Sequence, residues 1–332
     1  MNHSKPFSKN IILLEDVEAV IDEIVLKLRQ DILLKTKRLG AVVGISGGID
    51  SSVCLVLAFK AFGPEKVIGI MMPEKDSSKE SEELALELTG KYGVKTIKED
   101  ITMALVGFKC YERRDEAVKR VFPEYNPEKW KMKIGIKQTG LYSNLPPVFS
   151  LTIIDDKGYE KEKLLPTKEY LQIVAASNFK QRARMSMLYY HAEALHYAVI
   201  GTPNKHEQEQ GFFVKYGDGG ADAMPIGNLY KTQVYQLAEY LGIPENIIKR
   251  TPTTDTYSAS QTQEEFFYQL PFELMDIYWY GYENDYSPEE VAIVMGETKE
   301  RIEALFRNFD RKRKTTDYLR MTPMRNYFGT HK

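Results

Sequence analysis

Ala41-Val42-Val43-Gly44-Ile45-Ser46-Gly47-Gly48-Ile49-Asp50-Ser51-Ser52 is the stretch that decides the fold. It opens apolar and β-branched, the pattern of a strand buried on both faces. It then breaks into Ser-Gly-Gly, and the residues from Asp50 to Lys60 read as a helix with Asp and Ser in its first turn. Strand, glycine turn and helix N-terminus together make an anion site, because bare N–H groups converge there and glycine lets a phosphate approach the backbone. No G-K-[ST] follows, and the G-x-G-x-x-G spacing is absent. Taken alone, the same residues also suit a plain strand-to-helix turn capped by Ser and Asp.

Outward from this stretch, strands and helices alternate. Apolar residues at helical spacing over 11–39, ended by Gly40, place one or two helices before the first strand. A second strand over 67–72 is stopped by Pro73. A helix over 79–92, capped by Ser77 or Ser78, ends at Gly93, and a third strand covers 94–97. The expected fold is α/β: a doubly wound, mostly parallel, Rossmann-like sheet flanked by helices, with ligands at the carboxyl ends of the strands.

Over 108–171 the rhythm changes. Pro123, Pro127, Pro146, Pro147 and Pro166 interrupt it, and a β-hairpin is expected with strands over 148–154 and 159–165 about Asp156-Lys157-Gly158. This segment reads as an insertion within a single domain spanning 1–332. The core resumes with a helix over 179–197, a strand over 198–202, the glycine-rich loop 216–222 and a helix over 230–241. The stretch 252–263 is polar, and helices over 271–279, 287–295 and 300–309 close the chain before the basic run Arg311-Lys312-Arg313-Lys314. The polar loops 75–79 and 257–263 are expected to act as lids that order on ligand binding.

Composition narrows the function. The 332 residues are 43% hydrophobic and 28% charged, with no apolar run long enough to span a bilayer. A net charge of −2 gives no electrostatic case for nucleic acid. Two cysteines, Cys54 and Cys110, make neither a disulfide framework nor a Cys-rich metal site. The first ten residues lack a signal-peptide core, so a cytoplasmic setting is expected.

Ser46-Gly47-Gly48-Ile49-Asp50-Ser51 resembles the pyrophosphate-binding loop of the PP-loop ATP pyrophosphatases. Further along come Asn178-Phe179-Lys180-Gln181-Arg182-Ala183-Arg184-Met185, then Gly201-Thr202-Pro203-Asn204-Lys205-His206-Glu207. The loop from Lys215 to Asp222, Leu229-Tyr230-Lys231 and Pro252-Thr253-Thr254-Asp255 follow. In this order they closely resemble NAD+ synthetase, the amidating branch of those enzymes, and Met72-Pro73 with Ser77-Ser78 resemble its second-strand exit. The resemblance runs over most of 11–313 outside the insertion.

The resemblance implies a carbon–nitrogen ligase. The nicotinate carboxylate of deamido-NAD+ is adenylated by ATP, releasing pyrophosphate, and ammonia then displaces AMP to give NAD+. By the same resemblance, Gly44, Ile45, Ser46, Gly47, Gly48, Ile49, Asp50 and Ser51 hold ATP, together with Thr202, Lys231 and Thr253. Asp50 and Glu207 ligate Mg2+, and Lys231 faces the α-phosphoryl transition state, which makes Asp50, Glu207 and Lys231 the expected catalytic set. Arg182, Lys215 and Asp222 are expected on deamido-NAD+, as are Arg311 and Lys312. Here the sequence departs from the family, because Arg311 stands where a His is common. Thr254 stands where Ala is common, and the insertion is longer than in compact members. There is neither the length nor a cysteine context for a fused amidase, so free ammonia is the expected nitrogen source, with a separate glutaminase as the alternative. A homodimer is implied by the family. Two other readings are a PP-loop amidotransferase acting on another carboxylate and a non-catalytic adenine-nucleotide sensor. The first is discriminated by the Arg182, Lys215 and Asp222 set, the second by the conjunction of Asp50, Glu207 and Lys231.

Overall fold

Successive side chains of a strand point to opposite faces, and the first strand uses both. Ala41 and Val43 pack into the large core on one face, and Val42 packs with Ile68, Ile70 and Val199 on the other. The computed structural model describes residues 5–137, 148–253, 257–259, 261–262 and 267–325. Pro146, Pro147, Thr254, Asp255 and Gln263, singled out above, lie outside the described residues.

The elements in chain order are α1 (Val17–Arg29), β1 (Ala41–Gly44), α2 (Ile49–Phe62), β2 (Val67–Met71), α3 (Lys79–Tyr92), β3 (Lys95–Lys98), α4 (Thr102–Gly107) and α5 (Cys110–Val121). Then come β4 (Trp130–Lys137), β5 (Val148–Asp155), β6 (Glu160–Leu164), α6 (Thr167–Leu195), β7 (Ala198–Ile200), α7 (Lys205–Gln210) and α8 (Lys231–Leu241). The last four are α9 (Glu245–Lys249), α10 (Phe272–Glu283), α11 (Pro288–Met295) and α12 (Lys299–Arg320).

The main sheet has the order β3-β2-β1-β7, with every pairing parallel. Helices cover both faces, as a parallel sheet requires. α2 is the central one. Val53, Cys54, Leu55, Val56, Leu57 and Ala58 are all buried, because α1, α8 and the sheet surround it. Its end is set by Gly63 at φ +79° followed by Pro64. On the other face lies α6, whose Leu188, Tyr189 and Ala192 close a smaller cluster. A third cluster joins α5, α6 and the antiparallel sheet β4-β5-β6, and a fourth joins α10, α11 and α12 with Phe7 and Ile12.

Several elements differ from the sequence reading. α6 begins at Thr167, well before position 179, and runs for 29 residues. The stretch ahead of Asn178 had been absorbed into the proline-broken segment, yet Pro166 sits at the helix N-cap, where proline is harmless. The expected hairpin is present as β5 and β6, and β4 joins it as an unforeseen partner. Its signal was present in Lys131-Met132-Lys133-Ile134, where Met132 and Ile134 are buried. α4, α5 and the short α7 were also unforeseen, and α12 extends to Arg320 rather than stopping near 309. Cys54 and Cys110 are free and buried. Among the described residues no helix is long and apolar enough to cross a membrane.

Candidate active site

β2 lies on one side of β1 and β7 on the other, so the strand order reverses at β1 while all strands stay parallel. In such a sheet the crevice outside the carboxyl ends of the two diverging strands is left open for ligand. There the chain has a cavity of about 600 Å³, lined by the glycine turn after β1, the start of α7 after β7, and side chains of α6 and α12.

The turn is shaped by Gly47. Its φ is +70°, and a Cβ there would lie 2.6 Å from the Ser81 carbonyl oxygen and 3.0 Å from Leu84 Cβ. Glycine is needed both for the left-handed backbone and for the close approach of α3. Ser51 Oγ and Ser52 Oγ donate to the Gly48 carbonyl at 3.0 and 2.8 Å, and the Ser46 and Ser51 hydroxyls lie 3.2 Å apart. From beyond α9, Arg250 donates to Gly47 O at 3.3 Å and to Ser81 Oγ at 2.9 Å, tying the turn to α3.

The charged groups converge at the start of α2. Lys231, the first residue of α8, is fully buried, and its Nζ donates to Asp50 Oδ2. Asn204 Nδ2 donates to Asp50 Oδ1 at 3.3 Å. Asn204 also caps α7 reciprocally: its N–H donates to Glu207 Oε2 at 2.9 Å, and the Glu207 N–H donates to Asn204 Oδ1 at 3.2 Å. One buried asparagine therefore holds both carboxylates, Asp50 through its side-chain amide and Glu207 through its backbone N–H. Burial, and then the neighbouring Asp50 charge, push the Glu207 carboxyl up to about 8. Burial acts to lower the Lys231 ammonium, but Asp50 and Glu207 outweigh it, and its pKa is raised. Beneath them the Cys54 thiol donates to Gly201 O at 3.7 Å, and burial raises it well above the usual range.

This donor set suits Mg2+. The Asp50 charge disfavours ionisation of Glu207, a repulsion that a divalent cation relieves, and both side chains offer hard oxygen ligands to the cavity. Among the described residues no group of three or more His, Cys, Asp or Glu forms a metal site. Mg2+ does not need one, since it binds through one or two carboxylates with phosphate oxygens and water.

A layer behind this set was not foreseen. Asp276 on α10 is fully buried; its Oδ1 accepts from Lys231 N at 3.3 Å and its Oδ2 from Thr232 N at 2.7 Å. Its Oδ1 also lies 2.5 Å from His206 Nε2, and Gln210 Nε2 lies 3.2 Å from His206 Nδ1. One carboxylate thus caps the helix carrying Lys231 and grips the helix carrying Glu207.

Of the residues expected on ATP, Gly44, Ile45, Ser46, Gly48, Ile49, Asp50, Ser51, Thr202 and Thr253 line the cavity. Gly47 shapes the turn and Lys231 stands behind Asp50. The residues expected on deamido-NAD+ are placed differently, and none of them lines this cavity. Arg182 Nε donates to Lys215 O at 3.2 Å, and Lys215 Nζ donates to Tyr318 O and Met321 O at 2.9 and 2.7 Å. Asp222 accepts from Val199 N at 2.8 Å and from Tyr189 OH at 3.3 Å. Arg311 and Lys312 lie on α12. Lys312 Nζ donates to Phe267 O at 3.1 Å, and burial, then Arg311, lower its amine to about 7. Lining residues not assigned from sequence include Asn178, Gln181 and Arg184 on α6 and Asp218 in the glycine-rich loop. All four lie inside quoted motifs, but only the fold shows which face of each motif is turned inward.

A family model described as NAD synthase matches residues 20–134 and 149–316. An NH(3)-dependent NAD(+) synthetase of Mesorhizobium japonicum is 48% identical over 309 residues, covering 93% of this chain and 96% of that one. Two solved structures share the fold. The NMN synthetase of Francisella tularensis has a TM-score of 0.62 at 22% identity, over 94% of this chain and 99% of that one. The NH3-dependent NAD synthetase of Campylobacter jejuni, solved with nitrate, has a TM-score of 0.61 at 21% identity, over 95% and 100%. With its glycine turn, its paired acids and the extent of these matches, the chain belongs to the NAD synthase family.

Proposed function

We propose that the protein amidates deamido-NAD+ with ammonia at the expense of ATP. The observation that carries this reading is the meeting of Asp50, Glu207 and Lys231, from three separate elements, beside the glycine turn. A carboxylate is a poor acyl donor, since oxide would have to leave. In the first step a nicotinate oxygen bonds to the α-phosphorus and the bond to pyrophosphate breaks. In the second, the ammonia nitrogen bonds to the acyl carbon, the bond to AMP breaks and a proton is lost. Lys231, held by Asp50, offers a fixed positive charge to the α-phosphoryl oxygens, and the turn's N–H groups receive phosphate charge. Asp50 and Glu207 would hold Mg2+, which would supply charge neutralisation at the triphosphate.

Motif resemblance supports Arg182, Lys215, Asp222, Arg311 and Lys312 as deamido-NAD+ contacts. The same resemblance supports a homodimer. The proline-broken rhythm supports 108–171 as an insertion within one domain over 1–332, and the proposed setting is the cytoplasm. The test is to incubate the protein with ATP, Mg2+, ammonium and deamido-NAD+ and to measure NAD+, AMP and pyrophosphate, which are expected in equal amounts. Parallel reactions contain nicotinate mononucleotide or other carboxylates. Pyrophosphate release that ignores deamido-NAD+ but follows another acid overturns the substrate assignment, and ATP binding without turnover favours a nucleotide sensor. Light scattering checks for twice the 38.2 kDa chain mass.

A further inference from the structure

The reaction leaves α5 and the antiparallel sheet without a role, yet both touch the rim of the cavity. The first contact is with the loop leaving β2. Ser77 and Ser78 of this loop line the cavity, while Glu74 and Asp76 turn away from it into the protein. Tyr111 OH on α5 donates to Glu74 Oε2 at 2.6 Å, and Arg114 Nη1, also on α5, donates to Asp76 Oδ2 at 2.6 Å. Lys180 on α6 completes the network, donating to Glu74 Oε1 and Asp76 Oδ2 at 2.9 Å each. The Lys180 and Arg114 side chains are 2% exposed. Removing one partner from ion pairs this deeply buried would leave an uncompensated charge, so the network holds together as a unit.

The second contact is with the segment that follows Thr253. Thr253 forms an isolated antiparallel bridge to Thr262. Ser258 and Ala259 are stitched to the edge strand β4: Met132 N donates to Ser258 Oγ at 2.9 Å, and Ala259 N donates to Met132 O at 3.0 Å. Tyr257 is buried in the core shared by α5, α6 and the antiparallel sheet, and it also lines the cavity. Two rim segments, distant in sequence, are therefore held by one block of structure.

We infer that α5 and the sheet β4-β5-β6 form a frame that holds both rim segments in place for ATP, with Tyr111, Arg114 and Ser258 as positioning residues. The frame sets Ser77 and Ser78 through Glu74 and Asp76, and it holds 257–259, from which Tyr257 reaches the cavity wall. The inference rests on the cavity being the ATP site, whereas the holding of the loops does not.

Two mild substitutions separate the contacts. Tyr111→Phe removes the hydroxyl on Glu74, and Ser258→Ala removes the acceptor for Met132 N. Amide hydrogen exchange on nucleotide-free protein should rise about three- to tenfold over 73–78 in Tyr111→Phe only, and over 257–259 in Ser258→Ala only. The ATP–Mg2+ dissociation constant should rise by about the same factor in each, and by the product in the double variant. Unchanged exchange at both segments, or raised exchange with unchanged ATP affinity, overturns the frame. If the wild type itself does not bind ATP, the proposed function fails, and the exchange arm still decides whether the block holds the loops.

Discussion

The Lys231 ammonium, on the first turn of α8, donates to the Asp50 carboxylate on the first turn of α2, 181 residues away in the chain. The cation is fully buried while its partner remains partly open to the cavity. This asymmetry fits a group whose charge is fixed in direction and shared with an incoming phosphate. Lys231→Met should lower the rate of pyrophosphate formation by about 10²–10³-fold. It should also cost about 3 kcal/mol of stability at most, because Asp50 loses its buried partner. Rates measured well below the melting temperature separate the two effects.

Asp276 and His206 act one layer further back. Asp276→Asn replaces an acceptor facing the α8 N–H groups with a donor on one side, and it weakens the grip on His206. The expected result is a fall of about 10- to 100-fold in kcat/KM, of the size seen when residues that orient a ligating group are removed. Saturating kinetics in ATP will show whether the loss falls in kcat. A melting-temperature change with normal kinetics would reduce the pair to core packing.

Much of this site was legible in the sequence because strand ends and glycine turns have local signatures. The boundaries of α3 follow from residue type, which narrowed its cap to Ser77 or Ser78, and the structure has Ser78; the capping box of α11 follows from residue type too. The convergence of Asp50 and Glu207 followed from the parallel sheet, whose strand ends open into one crevice. Asp276 was not legible. It sits in an aromatic-rich helix that also carries Glu273 and Glu283, nothing local sets it apart from them, and its partners lie 44 to 70 residues away. The loop after β2 was partly legible for a related reason. Its polarity suggested a lid over 75–79 that orders on ligand binding, but no local signal showed that Glu74 and Asp76 are held inward by cations from two other helices. Polarity predicts exposure only when no buried partner exists, and partners are a property of the fold.

Gly47→Ala tests the glycine turn. The new Cβ meets the Ser81 backbone, and φ +70° is unfavourable for alanine. Destabilisation of about 1–3 kcal/mol is expected, visible in the urea midpoint, together with weakened ATP binding by calorimetry.

Asp218 supplies a pH dependence. Burial pushes its carboxyl up to about 6 from 3.8, despite N–H donors including Val214 N at 2.7 Å. Because the folded pKa is raised, the stability this group contributes is fully present below about 3.8 and is lost as pH rises through 6. The wild-type melting temperature should therefore fall, relative to Asp218→Asn, between pH 4 and pH 6. Parallel curves for the two proteins would contradict this.

Removing divalent cations should stop pyrophosphate release, and adding Mg2+ back should restore it. Glu207→Gln keeps the side-chain oxygen facing Asn204 N but drops one anionic ligand. Its half-saturating Mg2+ concentration should rise about tenfold or more, read from rate against free Mg2+.

Lys215 reaches from the glycine-rich loop to the Tyr318 and Met321 carbonyls at the end of α12, and Thr315, Thr316 and Leu319 of that helix face the cavity. The final helix is thus a mooring post for the wall of the reaction chamber. Shortening the polypeptide to residue 314 would cast off that wall while leaving the parallel sheet whole, so a truncated enzyme should fold and yet bind nucleotide poorly.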